Sequence, residues 1–404
     1  MRLPLLLAAL TCAMPAAAQD VAAVHADAIV LDTHFDTPAN LGREGWSILE
    51  RHTTEGDGDQ VDVPRMADGG VDGGFFAIYT AQGARTPEGV QASRDAAFVR
   101  AAQIRDMAAR HPDVFRFVTT AEEARAAVAA GRRFVFMSME NGTPFERDVS
   151  LLTAFHRLGV TMASPVHFRN NALADSATDQ PEWNGLSDAG RQFVAEANRL
   201  GILIDASHAS DDVLRQMLEL SRAPIILSHS GVRAVYDHPR NVADAELRLL
   251  AAEGGVVQIN AFNGYMIDQP VIPERQAALA ALYGRMGANQ SAAERRALLA
   301  ERQRIDERWP VPRATFADVM LHIEHAIEVA GIDHVGISGD FDGGGGVEGF
   351  DSIADFPRIT AAMLANGHSA EDVAKVMGGN ALRVLEAAQA AGDPAARVTI
   401  PVVN

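Results

Sequence analysis

The sequence predicts an α/β fold, a (β/α)8 TIM barrel with loop insertions at its C-terminal face. Eight short apolar or β-branched runs alternate with longer segments of helical periodicity, which is typical of a parallel sheet. Six of these eight runs end in a residue that could bind a metal ion, at the edge of the sheet where barrel enzymes build their active sites.

The N-terminus has the layout of a cleavable secretory signal. Residues 1–18 start with Met1-Arg2, continue as an apolar run and end in small residues. We therefore predict a signal peptide over 1–18, a single folded domain over 19–404 and a periplasmic location. A short helix of the mature protein is the weaker alternative, because the segment ends in small residues. The chain's one cysteine, Cys12, leaves with the signal, so disulfides cannot stabilise the mature protein.

Composition excludes two classes of partner. The formal net charge of −18 disfavours binding to nucleic acid or to an anionic membrane surface. No segment after the signal has the roughly 20 uninterrupted apolar residues of a membrane span. A hydrophobic content of 48% is enough for a large core. The sequence does not distinguish a monomer from a homodimer.

The eight predicted strands follow one another along the whole chain. Between them lie helical segments such as 187–200, which opens on Ser187 as a cap and stops at Gly201. The strands are expected near residues 28–36, 73–80, 133–140, 160–167, 201–207, 224–229, 255–261 and 334–340.

Two connections interrupt the regular alternation. A polar segment, 41–68, follows the first strand, and a segment rich in Gln, Arg, Ala and Glu, 266–314, follows the seventh. Both come after the C-terminal ends of strands, where insertions shape the pocket of a barrel enzyme. We interpret them as lid or specificity elements within one domain.

The first strand ends in the pair His34 and Asp36. Side chains alternate along a strand, so these two point to the same side. A zinc ion needs about four ligands, so other strands must supply the rest. The strand ends supply five further candidates: Glu140, His167, His208, His229 and Asp340.

Other polar residues near the strands are expected to be structural. His322 and His325 have helical spacing, but they precede the eighth strand on an outer helix. His334 begins that strand, at the end away from the predicted site. Asp342 shares a face with Asp340 but lies in the glycine-rich turn, so Asp340 is favoured as the ligand. The run 343–346 is a tight turn rather than a phosphate loop, since no Lys, Ser or Thr follows it.

The charges suit two divalent ions. Asp36, Glu140 and Asp340 carry three negative charges, and a bridging hydroxide adds a fourth. Two divalent ions with neutral imidazole ligands balance them, whereas a single ion would leave surplus carboxylate charge buried. Imidazole and carboxylate without thiolate favour zinc, with manganese or iron as alternatives.

The candidate ligands and the residues around them resemble the membrane (renal) dipeptidase family of zinc metallopeptidases, which are metal-dependent hydrolases of the amidohydrolase superfamily. The resemblance extends over nearly all of the mature chain. The matching stretches are Asp32-Thr33-His34-Phe35-Asp36, Met139-Glu140-Asn141-Gly142, Gly185-Leu186-Ser187, the segment from Asn198 to Ser207-His208, Ser228-His229-Ser230, Pro239-Arg240-Asn241-Val242 and Gly339-Asp340-Phe341-Asp342-Gly343.

The resemblance implies a dipeptidase with two Zn²⁺ per chain, acting on dipeptide substrates. One zinc would be bound by His34, Asp36 and Asp340, the other by His208 and His229, with Glu140 bridging both. His167 would contact the substrate, and Arg240 would bind its carboxylate.

The expected reaction is attack on the peptide carbonyl by a hydroxide shared between the two ions. His167 would stabilise the oxyanion, and Asp340 would take the proton of the water and deliver it to the leaving amine. Two alternatives remain: an N-acyl amino acid deacylase or lactonase with the same metal site, and a non-catalytic periplasmic binding protein. Arg240 argues against the first, because it suits a free C-terminal carboxylate. The complete ligand set argues against the second.

Overall fold

The computed structural model describes residues 20–54, 56–285 and 291–396. In these residues, helices alternate with strands of two parallel sheets, which confirms the predicted α/β class. The predicted signal peptide over 1–18, including Cys12, lies outside the described residues.

The described residues contain nine strands, all paired in parallel. Eight of them correspond to the predicted strands, and the ninth, β3, was not predicted. Strands β1-β2-β4-β5-β6 form one sheet, with β3 paired to β4, and β7-β8-β9 form another. The strands are β1 Leu31–Phe35, β2 Gly73–Tyr79, β3 Phe115–Phe117, β4 Arg133–Glu140, β5 Val160–Ala163, β6 Leu203–Ile204, β7 Ile226–Ser230, β8 Val256–Asn260 and β9 Val335–Ser338.

Helices separate most successive strands. The α-helices are α1 Val21–Asp27, α2 Val63–Asp68, α3 Pro87–Arg110, α4 Ala121–Ala129, α5 Leu152–Leu158, α6 Asp188–Leu200, α7 Asp211–Leu220, α8 Asp244–Ala252, α9 Pro273–Tyr283, α10 Ala292–Arg308, α11 Phe316–Ala330, α12 Pro357–Ala365, α13 Ala370–Ala374 and α14 Asn380–Ala391. Shorter 3-10 turns cover Thr37–Asn40, Thr143–Phe145, Val149–Leu151, Asn263–Tyr265, Ile332–His334, Ile353–Asp355 and Pro394–Ala396, and a π-turn covers Lys375–Gly379.

Helix α6 shows how the local sequence sets an element. The hydroxyl of Ser187 accepts a hydrogen bond from the backbone N–H of Gly190, which satisfies one free donor of the first turn. Gly201 ends the helix with φ 72°, a left-handed conformation that glycine adopts without strain. The predicted start and stop of this helix are confirmed.

Two strands are shorter than predicted. The run expected over 160–167 is a strand only to Ala163, because Pro165 has no N–H to continue the ladder. His167 therefore lies in the loop after β5. The run expected over 201–207 is a strand only at Leu203–Ile204, followed by an isolated bridge at Asp205. The backbone N–H of Ser207 then donates to the Asp205 side chain and not to a neighbouring strand.

The two sheets meet at two junctions, which we call the β6/β7 seam and the β1/β9 seam. Isolated bridges join Asp205 to Ile226 at the first and Phe35 to Phe341 at the second. Apolar side chains from both sheets pack with α4 and α14 in one buried cluster, whose strand members include Leu31, Phe75, Phe136, Met162, Leu203, Ile226 and Val256. The same core therefore holds both sheets together.

The two inserted connections pack against each other. In 266–314, of which 286–290 lie outside the described residues, α9 and α10 bury Leu282 and Ile305 between them. Arg295 on α10 donates to the fully buried carboxylate of Asp59 in 41–68, at 2.9 Å. Among the described residues, neither segment lines the cavity described below.

In the part of the chain that the structure describes, no helix combines the length and the hydropathy that a bilayer crossing requires.

Candidate functional site

The first strand brings two candidate ligands together. His34 lies at the end of β1 and Asp36 in the turn that follows it, and Nε2 of His34 is 3.2 Å from Oδ2 of Asp36. The imidazole is almost fully buried and stacks on that of His229, with 4.0 Å between ring centroids. This histidine and carboxylate meet as strand alternation predicts.

Glu140, the last residue of β4, lies at the centre of the site and is 5% exposed. Its Oε2 is 3.5 Å from Nε2 of His34. Its Oε1 is 3.1 Å from Nε2 of His208, 3.4 Å from Nε2 of His229 and 3.6 Å from Nε2 of His167. The two oxygens of one carboxylate therefore face two different sets of donors.

Asp340 follows β9 and completes the group around His34. Ligand atoms of His34, Asp36 and Asp340 all lie within 4.8 Å of one another. The side-chain amide of Asn260, at the end of β8, donates to Oδ2 of Asp340 at 3.0 Å. A Cβ at Gly343 would collide with the carboxylates of Asp36 and Asp340, so a larger residue there would displace these two side chains.

Asp342 makes different contacts from Asp340, although alternation predicts one face for both. It accepts hydrogen bonds from the Thr37 hydroxyl at 2.6 Å and the Gln60 backbone N–H at 2.7 Å. Both aspartates have positive φ, 51° for Asp340 and 65° for Asp342, which breaks the strand alternation. Asp342 thus connects, by hydrogen bonds, the loop at Gln60 and the turn after Asp36.

Unusual backbone conformations are concentrated at this site. In the described residues, five non-glycine residues have positive φ: Asn141, Asn184, His208, Asp340 and Asp342. All but Asn184 are candidate ligands or lie within two positions of one. Such conformations cost of order 1–3 kcal/mol each and persist where the surrounding structure holds them, often at functional sites.

Burial and charge oppose each other at this site. Burial favours neutral His34, but the Glu140 and Asp36 carboxylates raise the pKa of His34 well above its usual value. Burial also raises the pKa of Asp340 to about 7. The carboxylates around His34 therefore attract a positive charge, which without a metal ion is a proton.

On the other side of Glu140 the histidines are neutral. Burial lowers the pKa of His208 and of His229 well below the usual value. Their Nε2 atoms are only 2.8 Å apart. Two lone pairs would repel at this distance, so either one Nε2–H donates to the other nitrogen or a cation lies between them. Neutral imidazoles beside carboxylates are the form that binds a metal ion, and a set without thiolate suits zinc.

His167 is close enough to belong to either the ligand set or the substrate site. Ligand atoms of Glu140, His167 and His208 lie within 4.8 Å of one another. His167 also lines the cavity beside the site, and burial lowers its pKa, so its imidazole is neutral.

A cavity of ≈ 280 Å³ opens over these residues. Its floor contains Glu140, His208 and Asp340, and its walls are aromatic: Tyr79, Phe168, Phe262 and Tyr265. Small-molecule sites usually measure about 300–1,000 Å³, so this cavity suits a small substrate.

Arg240 is a buried cation beside this cavity. It is 3% exposed, and its guanidinium donates to the backbone carbonyl of His229 at 3.0 Å. It lies 5.2 Å from the ring centroid of Tyr265, and its Nε has no hydrogen-bond partner in the part of the chain that the structure describes. No ion pair within the described residues includes Arg240. A buried charge of this kind is costly unless an anion pairs with it.

The three histidines predicted to be structural do not line the cavity. Nδ1 of His322 accepts the backbone N–H of Val232 at 2.9 Å, and His325 pairs with Asp244 at 2.9 Å. His334 contacts the carbonyl of Gly255. The glycines after Asp342 form a tight turn, in which the N–H of Gly345 returns to the carbonyl of Asp340.

Sequence reasoning missed the residues that support this site. Tyr79 and Asn260 end β2 and β8, the two strands from which no ligand was predicted. Their positions at the C-terminal ends of strands could have marked them as residues of the site. Tyr265 and Phe262 precede the 266–314 insertion, and no local pattern marks them as pocket walls.

Comparison with known proteins gives consistent matches. The family profile described as membrane dipeptidase (peptidase family M19) matches residues 18–397. Dipeptidase tcpJ of Claviceps purpurea is 30% identical over 337 residues, which cover 80% of this chain and 68% of the relative.

Two solved structures are similar over most of the chain. The probable dipeptidase PvdM from Pseudomonas aeruginosa has a TM-score of 0.79 at 29% identity, covering 92% of this chain and 98% of that one. A metallopeptidase from Rhodobacter sphaeroides, solved with a phosphinate mimic of the dipeptide L-Ala-D-Ala, has a TM-score of 0.70 at 25% identity, covering 90% of this chain and all of that one (100%).

Proposed function

The chain belongs to the membrane dipeptidase family, peptidase family M19, and on this premise we propose that it hydrolyses the peptide bond of dipeptides with two zinc ions. The observation that carries this proposal is the position of Glu140, which has one oxygen towards His34 and the other towards His208 and His229. A carboxylate placed in this way can bridge two ions.

In this proposal two sets of ligands share Glu140. We assign His34, Asp36 and Asp340 to one ion and His208 and His229 to the other. Two ions held there would supply the chemistry of a binuclear hydrolase, which is to acidify a water molecule and polarise the scissile carbonyl.

Two residues of the chain act on the substrate in this proposal. Neutral His167, beside Glu140 at the cavity wall, donates a hydrogen bond to the oxygen that becomes negative in the tetrahedral intermediate. Asp340 takes a proton from the attacking water and passes it to the leaving amine.

Arg240 accounts for the preference for dipeptides. Its buried, unpaired guanidinium offers planar donors to a carboxylate, and it is held in place by the His229 carbonyl. A free C-terminus bound there would lie a fixed distance from the scissile bond. Longer peptides would not place both groups correctly.

Two further features belong to the same proposal. We assign the two sheets to one (β/α)8 barrel, supported by the bridges at both seams and by the cluster that they share. We also propose cleavage of the 1–18 signal and a periplasmic location. Mass analysis of the exported protein tests the cleavage, because an intact N-terminus would contradict it.

Metal analysis of the purified protein, combined with a substrate screen, tests the function. We expect about two metal ions per chain, loss of activity with a chelator and recovery with zinc. The screen compares L-L and L-D dipeptides with tripeptides, N-acyl amino acids and lactones. A single ion in fully active enzyme would contradict the binuclear site, and hydrolysis of lactones but not dipeptides would contradict the substrate class.

A further inference from the structure

A serine links one candidate ligand to a buried carboxylate. The Ser228 hydroxyl lies 2.6 Å from Oδ2 of Asp205 and 2.9 Å from Nδ1 of His229. Ser228 is fully buried and Asp205 is 3% exposed, so water does not compete for these bonds. Neither residue has a role in the reaction proposed above.

The direction of each hydrogen bond follows from the groups present. Both oxygens of Asp205 are acceptors: Oδ1 receives the backbone N–H groups of Ser207 at 2.9 Å and Ser228 at 3.0 Å. The single hydroxyl proton of Ser228 therefore goes to Oδ2 of Asp205. Only the lone pairs of the serine oxygen then face His229, so Nδ1 of His229 must carry the proton and donate it.

This arrangement fixes the tautomer of His229. A neutral imidazole has one protonated nitrogen and one free lone pair. With the proton on Nδ1, the lone pair is on Nε2, which is the atom 3.4 Å from Oε1 of Glu140. The neighbouring His208 lacks such support, since its buried Nδ1 has no hydrogen-bond partner among the described residues.

We propose that Ser228, backed by Asp205, is a positioning residue that holds the His229 imidazole with its Nε2 lone pair directed into the metal site. This inference rests on the proposed function. Hydrogen bonds from the far side of a metal-binding imidazole typically change metal affinity about 10- to 100-fold. Ser228 would thus set the affinity of the ion bound by His208 and His229 without touching it.

The other seam provides a matched control. At β1/β9 the Ser338 hydroxyl donates to Oδ1 of Asp32 at 2.8 Å, and the backbone N–H of Gly339 donates to Oδ2 at 2.8 Å. Ser338 is fully buried, as Ser228 is, but within the described residues its hydroxyl bonds to Asp32 and to no imidazole. Ser338→Ala therefore removes the same kind of bond without changing a histidine tautomer.

Chelator competition on the full-length zinc-loaded enzyme tests the proposal. We expect Ser228→Ala to lose about 10- to 100-fold in affinity for one of two ions. Ser228→Thr, which keeps the hydroxyl, should restore it, and Ser338→Ala should retain wild-type affinity. Equal losses in Ser228→Ala and Ser338→Ala, or wild-type affinity in Ser228→Ala, would overturn the proposal.

A measurement on the wild type covers the case in which Ser228→Ala does not fold. Histidine nitrogen chemical shifts of the full-length enzyme, before and after zinc removal, should show the His229 proton on Nδ1 in both forms. A proton on Nε2 after zinc removal would overturn the inference. If the wild type binds no metal, the proposed function fails instead, so the two failures are distinguishable.

Discussion

Oε1 of Glu140 lies 3.1 Å from Nε2 of His208, while its other oxygen lies beside His34. Since both ligand sets meet at this carboxylate, Glu140→Ala should reduce the metal content from two ions to one or none and abolish nearly all turnover. Metal analysis and dipeptide hydrolysis measure the two effects.

Glu146→Ala is the matched control for that change. Glu146 is also 5% exposed and near the end of β4, but its carboxylate accepts the backbone N–H of Ala172 at 2.8 Å. This variant should lose about 1–3 kcal/mol of stability through the unpaired N–H and keep both ions. Wild-type metal content and turnover in Glu140→Ala would show that Glu140 has only a structural role.

His167→Ala decides between the two roles that its position allows. With a substrate role, turnover should fall about 10²- to 10³-fold, as when one oxyanion donor is lost, and metal content should not change. Metal analysis of the variant is the deciding measurement. Loss of an ion would make His167 a ligand, which its place near Glu140 and His208 permits.

Asp342→Asn should change how stability depends on pH. Burial raises the pKa of Asp342 from 3.8 to about 7, so the folded state holds its proton more tightly than the unfolded state does. The protonated Asp342 carboxyl stabilises the folded state fully when the pH is below the pKa of the unfolded state. This stabilisation is lost as the pH rises through the pKa of the folded state. The wild type should therefore lose stability relative to the variant between about pH 4 and pH 7.

Urea unfolding of both metal-free proteins across that range measures the difference. Each pKa unit corresponds to about 1.4 kcal/mol, so the change is at most about 4 kcal/mol, and the partial exposure of Asp342 reduces it. A stability difference that is independent of pH would contradict the raised pKa. The same variant should keep both ions, because Asp342 bonds to Thr37 and Gln60.

Much of the arrangement could be predicted because the C-terminal ends of parallel strands converge. His34, Glu140 and His229 are placed by strands whose periodicity is visible in the sequence. His34 and Glu140 lie on one sheet and His229 on the other, and the two seams bring them together. Strand ends were harder to predict, as Pro165 ends one ladder early and the side chain of Asp205 takes a backbone N–H that a longer strand would direct to its neighbour.

Contacts between distant segments could not be predicted. Alternation places Ser228 and His229 on opposite sides of β7, yet the serine hydroxyl reaches the imidazole of its neighbour while it donates to Asp205. Alternation also fails at Asp340 and Asp342, where positive φ turns each carboxylate towards different partners. Both depend on tertiary packing, which no local pattern encodes.

We expect Arg240 to distinguish a dipeptide from a longer peptide. Arg240 is buried beside Tyr265, bonds to the carbonyl of His229 and has no acidic partner in the described ranges. Arg240→Ala should therefore lose about 2 to 5 kcal/mol of transition-state binding, the cost of leaving a buried carboxylate unpaired. Steady-state kcat/KM on a dipeptide measures this loss.

Amidating the C-terminus of the dipeptide should cost the wild type a similar amount, because it removes the other side of the same contact. The two losses should not add: in Arg240→Ala, free and amidated dipeptides should be cleaved almost equally well. Arg233→Ala is the control, since Arg233 lies in the same loop but pairs with Asp211 at 2.6 Å, and it should discriminate as the wild type does. If Arg240→Ala keeps the wild-type ratio of kcat/KM for the free and amidated substrates, Arg240 does not bind the carboxylate, and the preference for dipeptides must come from another part of the cavity.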